Sequence, residues 1–146
     1  MTLTTKETLN NVNSKIRAME AIKKSYGLNR LYIRDVCEEL SIFDWWNETL
    51  SLTQLKQMKK FLETAITLGY TGYACFKVGA KYCSHGMWAY KAESTDGYSP
   101  DGECIFHSFR NGDNYWDAEN ADGEWMHDGN DRYGFTLAEV KEFISK

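Results

Sequence analysis

Proline is nearly absent from this chain: Pro100 stands alone against eleven glycines. No internal repeat, low-complexity segment or flexible linker interrupts the sequence, so nothing marks a boundary between domains. No apolar run approaches the roughly 20 residues that a membrane-spanning helix needs. The first ten residues, MTLTTKETLN, hold neither an apolar stretch nor a cleavage site. These absences predict a single domain over 1–146, working in the cytosol, with no membrane partner. In that compartment the four cysteines are expected to be reduced or metal-bound, not paired in disulfides.

Several catalytic signatures are also missing. Five of the eleven glycines sit in Asx-Gly pairs, and none belongs to a phosphate-cradling glycine loop. The His-x-Glu and Pro-Cys-x-x-Cys pair of the zinc deaminases is absent. An EF-hand starting at Asp128 fails, because Arg132 and Tyr133 occupy the places of an oxygen ligand and the turn glycine. Cys83 and His85 are near in sequence, but proximity alone does not make a thiolate–imidazole dyad. Carboxylates are plentiful between Asp113 and Asp131, yet nothing singles out two of them for glycoside chemistry. The chain is therefore read as a non-enzyme.

What is present is an ordinary globular balance with two departures. At 146 residues, 42% hydrophobic and 26% charged, the chain can bury a real core. Aromatics reach 14%, with five Trp and nine Tyr. They serve either sheet packing or a binding surface. The net charge of -4 is unevenly spread. Residues 1–70 hold ten Lys/Arg and eight Asp/Glu, while residues 71–146 hold seven and thirteen. Seven acids, Asp113, Asp117, Glu119, Asp122, Glu124, Asp128 and Asp131, fall between 111 and 131 with no Lys or Arg among them. Such a segment repels nucleic acid and attracts basic partners.

The pattern predicts an α+β fold: N-terminal helices packed on a C-terminal antiparallel β-meander, closed by a short C-terminal helix. Residues 1–69 form the helical half, 70–135 the sheet and 136–146 the last helix. Thr4 and Glu7 match a capping box, Leu9, Val12, Ile16, Met19, Ile22 and Tyr26 make one apolar stripe, and Gly27 is the stop signal. The stripe is expected to pack on the rest of the domain; its spacing also fits a short heptad, and the alternative is a homodimer seam. A second helix is expected over 29–40, with Leu31, Val36 and Leu40 inward, and a bulky connector over 42–46. Ser51 and Gln54 cap a third helix with Leu55, Met58, Leu62, Ala65 and Ile66 inward, ended by Gly69. Turn pairs at 96–97, 101–102, 111–112, 122–123 and 128–129 separate strands expected near 71–78, 86–93, 103–109, 114–118 and 123–127. Thr136 and Glu139 cap the last helix, with Leu137, Val140, Phe143 and Ile144 inward.

Four of the seven Cys and His residues fall in two close pairs, Cys83/His85 and Cys104/His107. Two pairs of soft ligands joined by an arm of about fifteen to twenty residues suit a structural zinc site. Residues three apart on a regular strand point to opposite faces, so Cys104 and His107 can share the metal only if their strand bulges or ends between them. Cys75 and His127 are reserve ligands.

In overall character, a small, acidic, Tyr/Trp-rich chain without a catalytic motif, the protein resembles the anti-CRISPR inhibitors of phages and mobile elements. That group shares no common fold or motif, so the resemblance transfers no residue role. It implies a stoichiometric inhibitor in the host cytosol, bound to a Cas nuclease. The partner would offer a basic nucleic-acid-binding groove, and the acidic segment would occupy it in place of nucleic acid. Two other readings remain. One is a small metal-dependent hydrolase. The other is a nucleic-acid-binding accessory protein using Lys56, Lys59, Lys60 and Trp45 or Trp46, which the net charge disfavours.

Overall fold

A computed structural model describes residues 3–28, 30–45, 49–78, 86–91, 104–108, 115–118, 126 and 136–145. The first helix, α1, spans Thr5–Tyr26. Thr4 accepts from the Glu7 amide, and Glu7 accepts from the Thr4 amide, so two free donors of the first turn are satisfied reciprocally. Gly27 ends the helix at φ 74°, a left-handed conformation that glycine adopts without a Cβ clash. Val12, Ile16 and Met19 are buried, while Leu9 and Ile22 are half-buried against the same core. The stripe therefore packs on its own domain. Tyr26 leaves it and stands 78% exposed.

The segment expected as a second helix is different. Arg30–Tyr32 is a strand, β1, followed by a single helical turn, α2, over Ile33–Val36. β1 pairs antiparallel with β3, Thr49–Ser51, and places Leu31 opposite the fully buried Leu50. A continuous helix would forfeit that apolar pair and its ladder, so pairing with a distant strand overrides local propensity. Val36 and Leu40 are nevertheless inward, as the pattern requires.

The expected connector at 42–46 is also corrected. Ile42–Trp45 forms β2, which lies parallel to β4, Tyr73–Val78. Parallel neighbours need a crossover, and α3, Leu52–Thr67, supplies it. Ser51 and Gln54 form the capping box of α3. Its exit is a Schellman motif: the Tyr70 amide donates to the Ala65 carbonyl and the Gly69 amide to the Ile66 carbonyl, with Gly69 at φ 92°.

From β4 the sheet runs antiparallel through β5 (Gly86–Tyr90), β6 (Cys104–Ser108) and β7 (Tyr115–Ala118). The strand order is β2-β4-β5-β6-β7, so the meander is real but the finished sheet is mixed. Of the strand expected at 123–127 only Met126 is described; it is buried in a turn. The Asx-Gly turns lie outside the described residues.

One face of the sheet carries Ala74, Phe76, Val78, Met87 and Ala89, all in the core shared with the helices. Phe61 of α3 meets Phe76 edge-on, with ring centroids 6.1 Å apart. The last helix, α4, spans Leu137–Ile144, has its capping box at Thr136 and Glu139, and buries Val140. It packs near β7.

Two buried hydroxyls tie the start of α1 to this layer. Thr5 Oγ1 donates to the Tyr70 carbonyl at 2.9 Å, and Thr8 Oγ1 lies 2.9 Å from Ser41 Oγ. Replacing a buried hydroxyl with a methyl leaves its partner unsatisfied, at a cost of about 1–3 kcal/mol. Thr5→Val is expected to lower the melting temperature by roughly 2–8 °C in calorimetry. Thr4→Ala removes only an exposed cap and is expected to cost about 1 kcal/mol. Gly69→Ala meets no neighbouring atom, so its expected loss of about 1–2 kcal/mol is purely conformational and denaturant melts should show an unchanged slope.

Candidate functional site

The second face of the sheet is aromatic. Alternation along β4 and β5 puts Tyr73, Cys75, Trp88 and Tyr90 away from the helices. Tyr73 and Tyr90 are directly opposite across the ladder, and their rings stack with centroids 4.6 Å apart and planes 7° from parallel. The register of β2 shifts between Ile42 and Asp44. The shift coincides with Phe43, which is 60% exposed and whose ring centroid lies 5.6 Å from that of Trp88. A bulge of this kind re-aims a side chain. Gly86 completes the arrangement. A Cβ there would collide with the six-membered ring of Trp88, so the indole lies over bare backbone.

Cys75 sits half-buried in this face, directly opposite Trp88. Burial pushes its thiol up from 9.0 to about 12, against a smaller lowering by a hydrogen bond from Tyr73. At neutral pH it is a thiol and not a nucleophilic thiolate.

The register also locates the sequence-predicted residues whose strands are described. Cys75, Trp88, Phe106 and Asp117 are register partners in turn across β4, β5, β6 and β7. Phe76, Met87, His107 and Trp116 are likewise partners in turn across the same four strands. Cys104 takes the position opposite Tyr90. The β5–β6 register runs unbroken through Cys104 and His107, so these two positions alternate across the sheet. A common metal would require a departure from that register. Cys83, His85 and His127 lie outside the described residues, as do Asp113, Glu119, Asp122, Glu124, Asp128 and Asp131. Among the described residues no three Cys, His, Asp or Glu side chains converge as a metal site. No described helix is long and apolar enough to cross a membrane.

Asp117 belongs to β7, the edge strand, and its neighbours in sequence are the acids of the 113–131 segment. Of the acids in that segment, Asp117 is the one in a described strand. The cluster of Phe43, Trp88 and Gly86 was not anticipated. Its signal lay in the alternation of 73–78 and 86–90, but the contribution of β2 depends on a parallel pairing that no local pattern announces.

Native Cys75 is expected to resist alkylation by iodoacetamide at pH 8 and to react once the chain is unfolded, as mass spectrometry would show. Its raised folded-state pKa means that the native state holds the proton more tightly than the unfolded chain. Stability is therefore expected to fall as pH rises from about 9 towards about 12, and Cys75→Ala should flatten that part of the profile.

Comparison with known proteins returns no match: no family model fits the chain, and no curated protein or solved structure is similar to it.

Proposed function

We propose that this is a non-enzymatic binding protein whose acidic, aromatic sheet edge occupies a basic nucleic-acid-binding groove on a protein partner, in the manner of an inhibitor of a Cas nuclease. The observation that carries this reading is the register row that ends at Asp117. In it Asp117, the one acid of the 113–131 segment in a described strand, is the register partner of Phe106, which is the partner of Trp88. Aromatic anchors beside a run of carboxylates combine apolar contact area with the charge that a phosphate-binding groove attracts. The exposed ring of Phe43 extends the face that carries Trp88 toward the opposite edge. The thiol state of Cys75 agrees with a binding role for this face, since it supplies no nucleophile there.

Zinc enters this reading as a structural brace, with Cys83, His85, Cys104 and His107 as its ligands and Cys75 and His127 in reserve. The β5–β6 register sets His107 opposite Met87, at the end of β5 that follows Cys83 and His85, and Cys104 opposite Tyr90 at the other end, so the two β6 ligands can share the metal only with a departure from that register. Elemental analysis of the purified protein is expected to find about one equivalent of zinc; less than about one-tenth, with no chelator used, removes the brace and leaves the binding surface standing.

The binding reading is tested by titrating the protein against purified Cas nucleases freed of guide RNA, at salt concentrations from about 50 mM to about 500 mM. Affinity should fall steeply with salt. The double change Asp117→Lys, Glu119→Lys should weaken binding by about tenfold or more at low salt, mainly through slower association. Salt-independent affinity, or no binding to any such nuclease, would sink the proposal.

A further inference from the structure

The far end of the helical layer has a different chemistry from the sheet edge. The bond from Thr5 to the Tyr70 carbonyl sets the start of α1 beside the end of α3, so the two helices run antiparallel. The end of α1 then meets the start of α3. β1 lies there as well, because Arg30 pairs with Ser51, the N-cap of α3, and donates from its guanidinium to Thr49 Oγ1 at 3.1 Å.

This end collects positive charge. Residues 20–36 and 48–60 hold seven Lys/Arg and three Asp/Glu, a local balance of +4 within a chain of net charge -4. Lys23, Lys24, Arg30, Arg34 and Lys56 are all exposed. The net charge that speaks against nucleic acid belongs to the other half of the molecule.

Apolar exposure concentrates at the same end. Among the described residues five large hydrophobic side chains are exposed, and Tyr26, Leu28 and Tyr32, within one seven-residue stretch, are three of them. Core packing does not account for them. Strand alternation puts Arg30 and Tyr32 on the outer face of β1, with half-buried Leu31 between them facing inward. The Arg34 guanidinium lies over the Tyr32 ring, 5.1 Å from its centroid, while Tyr32 stays 54% exposed. Cations set between open aromatic rings fit a strand of unpaired bases, whose phosphates meet the lysines while the bases stack on the tyrosines. A duplex would hide its bases from such platforms, and α2, a single turn, is too short to enter a groove.

We propose that the end formed by the last turn of α1, β1 and the first turns of α3 binds single-stranded nucleic acid, with Tyr26 and Tyr32 as stacking platforms and Lys23, Lys24 and Lys56 as phosphate contacts. The chain is then bipolar. Its acidic segment suits a basic protein groove, and the end formed by α1, β1 and α3 suits nucleic acid held by the same kind of partner. The second surface does not depend on the first.

The test uses the full chain and fluorescently labelled 20-mers of dT and rU, at salt from about 25 mM to about 200 mM. Binding should weaken as salt rises. Changing Lys23, Lys24 and Lys56 to Gln together should reduce the log–log salt slope by about 2, since each phosphate contact on a single strand contributes about 0.7. Tyr32→Ala should weaken binding between about fivefold and about a hundredfold with the slope unchanged, and Tyr32→Phe should keep most of the affinity. Circular dichroism confirms that each variant is folded. Asp117→Asn should not weaken oligonucleotide binding, which separates this surface from the acidic edge. Absence of binding at the lowest salt would overturn the proposal. So would binding that these changes leave intact, or binding to phosphatidylserine vesicles but to neither oligonucleotide.

Discussion

The architecture depends on how the first two turns of α1 are fastened. Thr5 and Thr8 are fully buried polar residues at the start of a helix whose remaining polar face is in solvent. Thr5 holds the carbonyl of Tyr70, where the chain leaves α3 for β4; Thr8 meets the hydroxyl of Ser41, where it enters β2. Ser41 is itself constrained. It takes a left-handed conformation at φ 58°, and its carbonyl accepts from the amide of Phe76 in β4. Left-handed backbone costs a non-glycine residue about 1–2 kcal/mol, and the hydrogen bonds on both sides of Ser41 offset it. These few bonds bring one helix, the parallel edge strand and the first meander strand into register. The apolar stripe of α1 then has a fixed surface to cover. Asn11 and Lys15 extend the attachment outward through the Glu39 carbonyl and carboxylate. An exposed ion pair of that kind contributes little beside the buried hydroxyls.

With the helices committed to one face, the other face of the sheet is left to aromatics. Its packing runs on ring contacts: Tyr73 on Tyr90, Phe43 on Trp88, and the indole over Gly86. The indole of Trp88 needs bare backbone beneath it, which explains the glycine that opens β5. Burial in this setting is also what holds Cys75 as a thiol. The charges divide along the same lines. Exposed lysines and arginines border the end shared by α1, β1 and α3, and Asp117 belongs to β7, the edge strand. Two kinds of surface thus follow from one layered arrangement.

Local signals carried far into the structure. Every capping box read from the sequence is formed: Thr4 with Glu7, Ser51 with Gln54, and Thr136 with Glu139. These interactions span three residues, so no distant partner can change them. The stops at Gly27 and Gly69 are legible for the same reason, since only glycine tolerates the backbone there at little cost. The inward residues of α1 and α3 and four of the meander strands follow from periodicity, because a fixed repeat dictates which side chains share a face. The candidate site was less legible. Alternation alone predicted that Cys104 and His107 would separate on a regular strand, but only the β5–β6 pairing shows that the strand is regular there.

By itself, then, the sequence determined helix starts and stops, the apolar faces, the α+β order and the split of charge between the two halves. Each depends on neighbours within a few residues or on composition. Tertiary structure decided that 30–32 is a strand, that Ile42–Trp45 joins the sheet in parallel, and that Tyr26, Leu28 and Tyr32 are left outside the core. Those outcomes turn on which distant segment pairs with which. Leu31 finds Leu50 and Ile42 finds Phe76 only once α1 and α3 have been laid side by side. A residue's own propensity is a small term beside the burial and hydrogen bonds that such pairings bring.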